Sequence, residues 1–230
     1  MYYKGKVHNI KGFIKNSTIE EKILEYTEEV RRNTVKCHLP SCWQCNTQAD
    51  LFKPHAKRQR QFYVIVDELL KIKYGLLMRW KCPGCNKTFT DYPEFAVPYK
   101  RYTVPTIKKY IGLYTENFDT TYREIIIKNI VGYPGSEKQL NHTTIHRWLT
   151  SFGNYNEIIR TAQDIYLQAK PESNICRELA SLSVPLKKYH TEKRKGILQK
   201  CRQLLKIEKK FHLFFSFSIF THLATKCGFS

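Results

Sequence analysis

The sequence is short of acidic residues. Among 230 residues, 20 Asp and Glu stand against 39 Lys and Arg, which gives a formal net charge of +19. An excess of this size repels itself in a folded chain, so an anionic partner is expected, and nucleic acid is the commonest polyanion. The alternative is a genome that favours Lys codons, because Ile, Asn and Tyr are also plentiful.

A long apolar segment is also missing. The longest apolar stretch, residues 211–224, is interrupted by Ser, Thr and His, and it is shorter than the ~20 residues needed to cross a bilayer. The first 15 residues are polar and basic, without the apolar region of a signal peptide. These features argue against a membrane partner and predict a cytoplasmic protein. In that reducing compartment, eight cysteines favour metal binding over disulfides.

The predicted fold class is α+β and mostly α. A capping box formed by Ser17 and Glu20 predicts a helix over residues 18–32, with an apolar stripe facing the core. Residues 61–66 and 76–81 resemble strands and lie between cysteine pairs. The prolines at positions 93 and 98 predict an extended connector after this region.

Three helices are predicted between residues 105 and 153. The first begins at Pro105 and runs to about Tyr114, the second covers residues 120–131, and a turn at 132–135 follows. The third covers residues 140–152, with Asn141 as its N-cap and Gly153 as its stop. The remaining residues, 154–230, have a helical pattern and are strongly basic over 187–210.

Two C-x-x-C pairs are the strongest local signal. They consist of Cys42 with Cys45 and of Cys82 with Cys85. Zinc prefers four tetrahedral soft ligands, and each C-x-x-C turn can place two sulfurs at one metal ion. Each pair is followed by Asn, which tolerates the left-handed backbone that such turns often need. The sequence therefore predicts a structural Zn²⁺ site with no open position for catalysis.

One ambiguity concerns the ligand set, because Cys37 lies close enough in sequence to replace Cys42. The isolated residues Cys176, Cys201 and Cys227 are interpreted as small side chains rather than ligands.

The segment 140–149 is the candidate DNA-reading helix. If it is helical, Ile145, Trp148, Leu149 and Phe152 form an apolar stripe. The opposite face then carries small polar and basic side chains, as a recognition helix requires. The candidate DNA contacts on this helix are His142, Thr143, Thr144, His146 and Arg147. The alternative is an ordinary amphipathic helix of a small bundle.

Two basic patches could hold phosphates. One contains Lys53, His55, Lys57, Arg58 and Arg60, and the other is the run Tyr99-Lys100-Arg101-Tyr102. Alternating cations and aromatic rings suit contacts with a nucleic-acid backbone. Either patch could instead be a solvated face.

The region 37–153 resembles a known family. The residues that carry the resemblance are the run 79–90, Tyr92-Pro93, the run 98–102, the first Cys pair with Lys53-Pro54-His55, and the segment 144–148. They are similar to the zinc-ribbon and helix-turn-helix proteins associated with bacterial insertion sequences and transposons. The resemblance implies a zinc ribbon at 37–98 and a helix-turn-helix unit at 99–153. An N-terminal helix and arm (1–36) would precede them, and a basic helical region (154–230) would follow.

Transposases of that family carry a further catalytic domain, which this sequence does not predict. Strand transfer of the DDE type needs three carboxylates on a sheet that holds two metal ions. The acidic residues after Gly153 lie in no strand-like setting, and no Ser-His-Asp spacing or phosphate-binding Gly loop is present. We therefore expect no enzyme activity, although the many tyrosines leave a nucleophilic Tyr open.

These observations lead to one function and two alternatives. The first is a sequence-specific accessory or regulatory protein of a bacterial mobile element. It would bind double-stranded DNA in the nucleoid, beside a transposase or recombinase encoded nearby, and a homodimer is one arrangement that the sequence leaves open. The second is a transposase fragment or subunit whose catalytic domain is missing or supplied by another chain. The third is an RNA-binding zinc ribbon.

Overall fold

The computed structural model describes residues 18–117, 119–129, 140–184, 191–216 and 218–220. In this part of the chain, one helix and a small antiparallel sheet are followed by helices, so the prediction of an α+β fold is confirmed. No helix among the described residues is long and apolar enough to cross a membrane.

Helix α1 covers Ile19–Arg32 and begins one residue later than predicted. The N-cap is Thr18, whose hydroxyl accepts a hydrogen bond from the Glu21 amide while the Glu21 carboxylate accepts one from the Thr18 amide. The assignment of the capping box to Ser17 and Glu20 is therefore wrong, and Ser17 lies outside the described residues. Two adjacent Glu residues after two adjacent hydroxyl residues fit either register, so the pattern alone does not distinguish them.

The sheet is built on a long hairpin. Strands β1 (Lys53–Val66) and β2 (Leu69–Lys81) pair from Lys53↔Lys81 to Val66↔Leu69, and β3 (Thr88–Thr90) pairs with the end of β2. The two turn residues, Asp67 and Glu68, both have positive φ, as the twist of a two-residue hairpin requires. Both long strands begin earlier than predicted. The first half of β1 is polar and shows no apolar alternation, whereas the first half of β2 alternates apolar residues with Lys71 and Lys73, a strand signal that the prediction missed.

Helix α1 packs against β2. The Thr27 hydroxyl accepts a hydrogen bond from the Leu76 amide at 3.2 Å and donates to the Ile23 carbonyl at 2.7 Å. A Cβ at Gly75 would lie 2.9 Å from the Phe62 ring and 3.0 Å from the Thr27 hydroxyl. A glycine at this position therefore lets the helix approach the hairpin closely. We call residues 19–91 the sheet unit.

Six helices follow the sheet within the described residues, and we call residues 104–220 the helical unit. They are α2 (Val104–Glu116), α3 (Tyr122–Asn129), α4 (His142–Gly153), α5 (Asn156–Ala169), α6 (Ile175–Ala180) and α7 (Glu192–Phe215).

Helices α2, α3 and α4 match the three predicted helices, with two differences. Gly153 is the last residue of α4 rather than its stop, and the C-cap is Asn154. A Cβ at Gly153 would lie 2.4 Å from the Ile197 carbonyl oxygen, so this glycine permits close packing of α4 on α7. The predicted turn at 132–135 lies outside the described residues.

The helical unit shares a single core. Buried residues from α2, α4, α5, α6 and α7 form one continuous cluster. Phe211 and Phe220 of the C-terminal aromatic run belong to it, so this run packs on the body of the chain, whereas Leu213 and Phe214 are exposed. The predicted domain boundary after residue 153 therefore falls within this shared core. The division of the chain into separate domains at that point stays a prediction.

Candidate metal centre and nucleic-acid interface

The two C-x-x-C pairs form matching turns. In the first, the Cys42 amide donates to the Thr47 carbonyl and the Asn46 amide to the Cys42 carbonyl, both at 2.8 Å. In the second, the amides of Cys82 and Asn86 make the same two bonds at 2.9 Å. Asn46 and Asn86 have φ values of 56° and 61°, as their place after each pair predicted. This repeated backbone geometry fixes where the sulfurs point.

The four sulfurs meet in one cluster, which we call the thiol cluster: Cys42, Cys45, Cys82 and Cys85. Their Sγ atoms all lie within 4.8 Å of one another, and the closest approaches are 3.4 Å and 3.6 Å. A tetrahedral zinc ion bound at about 2.3 Å would hold its sulfurs about 3.8 Å apart. Cys42 is a member and Cys37 is not, so the structure decides the ambiguity in favour of Cys42.

The surroundings lower the pKa of two thiols of the cluster, those of Cys45 and Cys82. A backbone hydrogen bond from Lys87 lowers the pKa of the Cys85 thiol, but burial and the other three sulfurs raise it to about 12. Burial would raise the pKa of the Cys82 thiol, but the backbone N–H groups of Cys85 and Gly84 and the Thr47 hydroxyl lower that pKa to about 6. Thr47 also lies 3.1 Å from the Cys45 sulfur and lowers the pKa of that thiol. The thiolate is the form that binds metal, so the cluster can hold a metal ion. A tetrahedral set of four sulfurs is typical of zinc or iron.

Helix α4 has the predicted amphipathic form. Ile145, Trp148, Leu149 and Phe152 are buried. The opposite face exposes His142, Thr143, His146 and Arg147, whereas Thr144 is half-buried. The Asn141 side chain caps the helix by accepting hydrogen bonds from the Thr143 amide at 2.9 Å and from its hydroxyl at 3.0 Å. The helix therefore presents a short polar surface at its N-terminal half.

Arg194 of α7 lies beside this surface, and sequence reasoning did not single it out. Its guanidinium donates to the Thr150 hydroxyl at 2.9 Å and to the Tyr122 hydroxyl at 2.6 Å, which joins α7 to α4 and α3. Burial and the charge of Arg194 lower the pKa of His146. The basic run 187–210 was the available signal, but a charge run does not show which member faces another helix.

The first basic patch is divided between the two faces of β1. The Lys57 ammonium donates to the Arg31 carbonyl at 2.7 Å, where it caps the C-terminal end of α1. Arg58 is exposed, and Arg60 donates to the carbonyls of Val97 and Lys100. Because side chains alternate along a strand, neighbours in the sequence such as Lys57 and Arg58 point to opposite faces.

The second patch is largely engaged in packing. The Lys100 ammonium donates to the Ser151 hydroxyl at 3.0 Å, and Arg101 donates to the Tyr63 hydroxyl at 3.1 Å. The Tyr102 ring lies 4.9 Å from the Trp148 ring and 5.1 Å from the Tyr63 ring, between the sheet and α4. These residues join the sheet unit to the helical unit.

Residues 42–148 match a family model described as a domain of unknown function, DUF6431. The match begins at the first cysteine of the thiol cluster and ends inside α4, so it contains the candidate metal centre, α2, α3 and the first half of α4. No curated protein and no solved structure matches the chain.

Proposed function

We propose that this protein is a sequence-specific DNA-binding accessory or regulatory protein of a bacterial mobile element, with a structural zinc ion in its thiol cluster. The observation that carries the proposal is the amphipathic form of α4. Its exposed face combines short polar residues with Arg147 on a helix whose other face is fully anchored. Reading base edges in the major groove needs a rigid helix of this kind.

Charge and metal chemistry support the proposal. The net charge of +19 supplies a sequence-independent attraction to a phosphate backbone. Four thiolates fill the coordination sphere of zinc, so the ion stabilises the fold and offers no position for a reacting water molecule. The resemblance to insertion-sequence proteins supplies the mobile-element context.

The link between α3 and α4 departs from the simplest helix-turn-helix. Residues 130–141 separate the two helices, whereas the motif usually has a turn of roughly three or four residues. In this proposal, α4 is the recognition helix of a three-helix unit whose last connection has more residues than the usual turn. The Tyr122 ring of α3 packs against His146 of α4, and Arg194 of α7 donates a hydrogen bond to the Tyr122 hydroxyl.

A binding titration tests the proposal. Zinc-loaded protein is titrated against duplex DNA from its own genetic neighbourhood, against a scrambled duplex and against A-form duplex RNA, each at two salt concentrations. We expect a preference for the native duplex that persists at the higher salt and that falls on Arg147→Ala by about 1–3 kcal/mol, the cost of one base contact.

Arg160→Ala is the matched control, because it removes the same charge from an exposed position on α5. It should leave the preference for the native duplex unchanged. Equal binding to both DNA duplexes that salt abolishes would contradict sequence reading. Tighter binding to the RNA duplex would favour the RNA-binding alternative.

A further inference from the structure

Residues from both basic patches of the sequence line one cavity. Its volume is about 410 Å³, and it lies where the middle of β1 faces the connector that leads from β3 to α2. Arg58 and Arg60 line it from the strand, and Tyr92, Tyr99 and Arg101 line it from the connector. Ligand cavities usually enclose ~300–1,000 Å³, so there is room for a small organic ion.

The cavity carries positive charge without compensation. Three guanidinium groups line it, and no carboxylate is among its lining residues in the described part of the chain. Burial lowers the pKa of Arg60, Tyr92 raises it, and the charges of Arg58 and Arg101 lower it. Arginine nevertheless stays charged in proteins. Such a cluster is stabilised by an anion, and its planar donors match phosphate.

The three arginines have different roles. Arg60 is a positioning residue, because it donates to the carbonyls of Val97 and Lys100 and its guanidinium lies 5.2 Å from the Tyr92 ring. Arg58 is exposed and forms no hydrogen bond or ion pair with any described residue. Arg101 is exposed and uses one donor on the Tyr63 hydroxyl, which leaves the others available.

Tyr99 is held at the cavity in an unfavourable backbone conformation. Its φ is 60° and its side chain is exposed, with 71% of the residue accessible to solvent. A bulky residue adopts positive φ only where its surroundings enforce it. Here the Lys100 amide donates to the Val97 carbonyl at 3.2 Å, and Arg60 binds the carbonyls of those same two residues. The turn therefore presents an aromatic ring at the same cavity as the guanidinium groups of Arg58 and Arg101.

We propose that this cavity binds an unpaired nucleotide of a DNA single strand, with its phosphate on Arg58 and Arg101 and its base stacked on Tyr99. Stacking on an aromatic ring beside cations is how proteins hold single strands without reading their sequence. The inference goes beyond duplex recognition by α4, because a base inside a duplex has no free face for Tyr99. A DNA-binding protein with both sites would hold duplex and melted DNA together.

The test is a titration of a labelled oligothymidine single strand with the zinc-loaded full chain. We expect the Arg58→Ala/Arg101→Ala double variant to weaken binding by about tenfold or more. Tyr99→Ala should weaken binding by about fivefold or more, whereas Tyr99→Phe, which keeps the ring, should bind within about twofold of the parent protein. Thermal melting of each variant confirms that it is folded.

The matched control is Arg32→Ala/Arg160→Ala, which removes two exposed arginines elsewhere. If the cavity variants lose no more affinity than this control, or if Tyr99→Ala has no effect, the proposal is overturned. Displacement of the strand by thymidine monophosphate at an equal concentration would also overturn it, by assigning the cavity to free nucleotides. Arg147→Ala should weaken duplex binding and leave single-strand binding unchanged, so failure at one site is distinguishable from failure at the other.

Discussion

The sheet unit and the helical unit are stabilised in different ways. Buried apolar residues of the sheet unit fall into two separate clusters, and the one that contains Met78 and Trp80 also includes Cys42 and Cys82 of the thiol cluster. The helical unit has one continuous core that extends from Val104 to Phe220. Small cores need additional crosslinks. From this comparison we expect the fold of the sheet unit to depend on metal in the thiol cluster, and that of the helical unit to depend on apolar packing.

Metal removal should have the largest effect. In Cys82→Ser, or after chelation, we expect the sheet unit to lose its fold, because metal binding contributes on the order of 10 kcal/mol to small zinc units. The helical unit should keep its circular dichroism signal at 222 nm. Cys176→Ser is the control, since Cys176 is exposed and lies outside the thiol cluster. Collapse of both units in a single transition would show that they are not separately stabilised.

A buried carboxylate should matter next, within the helical unit alone. Glu208 is 1% exposed and accepts hydrogen bonds from Lys108 at 2.9 Å, from the Ser218 hydroxyl at 3.0 Å and from the Ile219 amide at 2.9 Å. Glu208→Ala leaves these donors without their acceptor and should lower the free energy of unfolding by about 3 kcal/mol, as measured by urea titration.

The comparison variant is Glu178→Ala, which breaks half-buried pairs with Lys210 and Lys206. It should change stability less than Glu208→Ala, because ion pairs that keep contact with solvent contribute little. If the two variants were equally stable, the assignment of Glu208 as a buried junction between α2, α7 and the segment 218–220 would be wrong.

Substitutions at the contact between α4 and α7 should have the smallest effects on stability. Two glycine-to-alanine changes there should alter the free energy of unfolding in opposite directions. Gly153→Ala places a Cβ against the Ile197 carbonyl and should destabilise the helical unit by about 1–3 kcal/mol through overpacking. Gly196→Ala, on the facing helix, meets nothing within 4 Å and should stabilise α7 by about 0.5–1 kcal/mol. Thermal melts of both variants would show the contrast. A stable Gly153→Ala variant would mean that α4 and α7 pack less closely.

Local signals in the sequence were sufficient for the thiol cluster and for the faces of α4. Paired cysteines followed by Asn specify their own turn, and the spacing of Ile145, Trp148, Leu149 and Phe152 specifies a buried stripe. Both features depend on residues that are near one another in the sequence, where pattern and geometry are tightly linked.

The sequence could not show which basic residues are free to bind a ligand. Lys57 caps α1, Lys100 binds Ser151, and Arg60 holds the turn that carries Tyr99. Arg194, by contrast, lies beside α4 although α7 is distant in the sequence. These partners are set by how the hairpin and α7 pack, and the composition of a basic run does not encode such long-range contacts.

Methylation of guanine N7 on the preferred duplex is the most direct test of major-groove reading by α4, because N7 lies in that groove. With zinc-loaded protein at saturation, we predict a short cluster of protected guanines, and saturating Arg147→Ala protein should expose at least one of them again. Uniform methylation of the saturated duplex would contradict the account, since binding would then rest on the phosphate backbone alone.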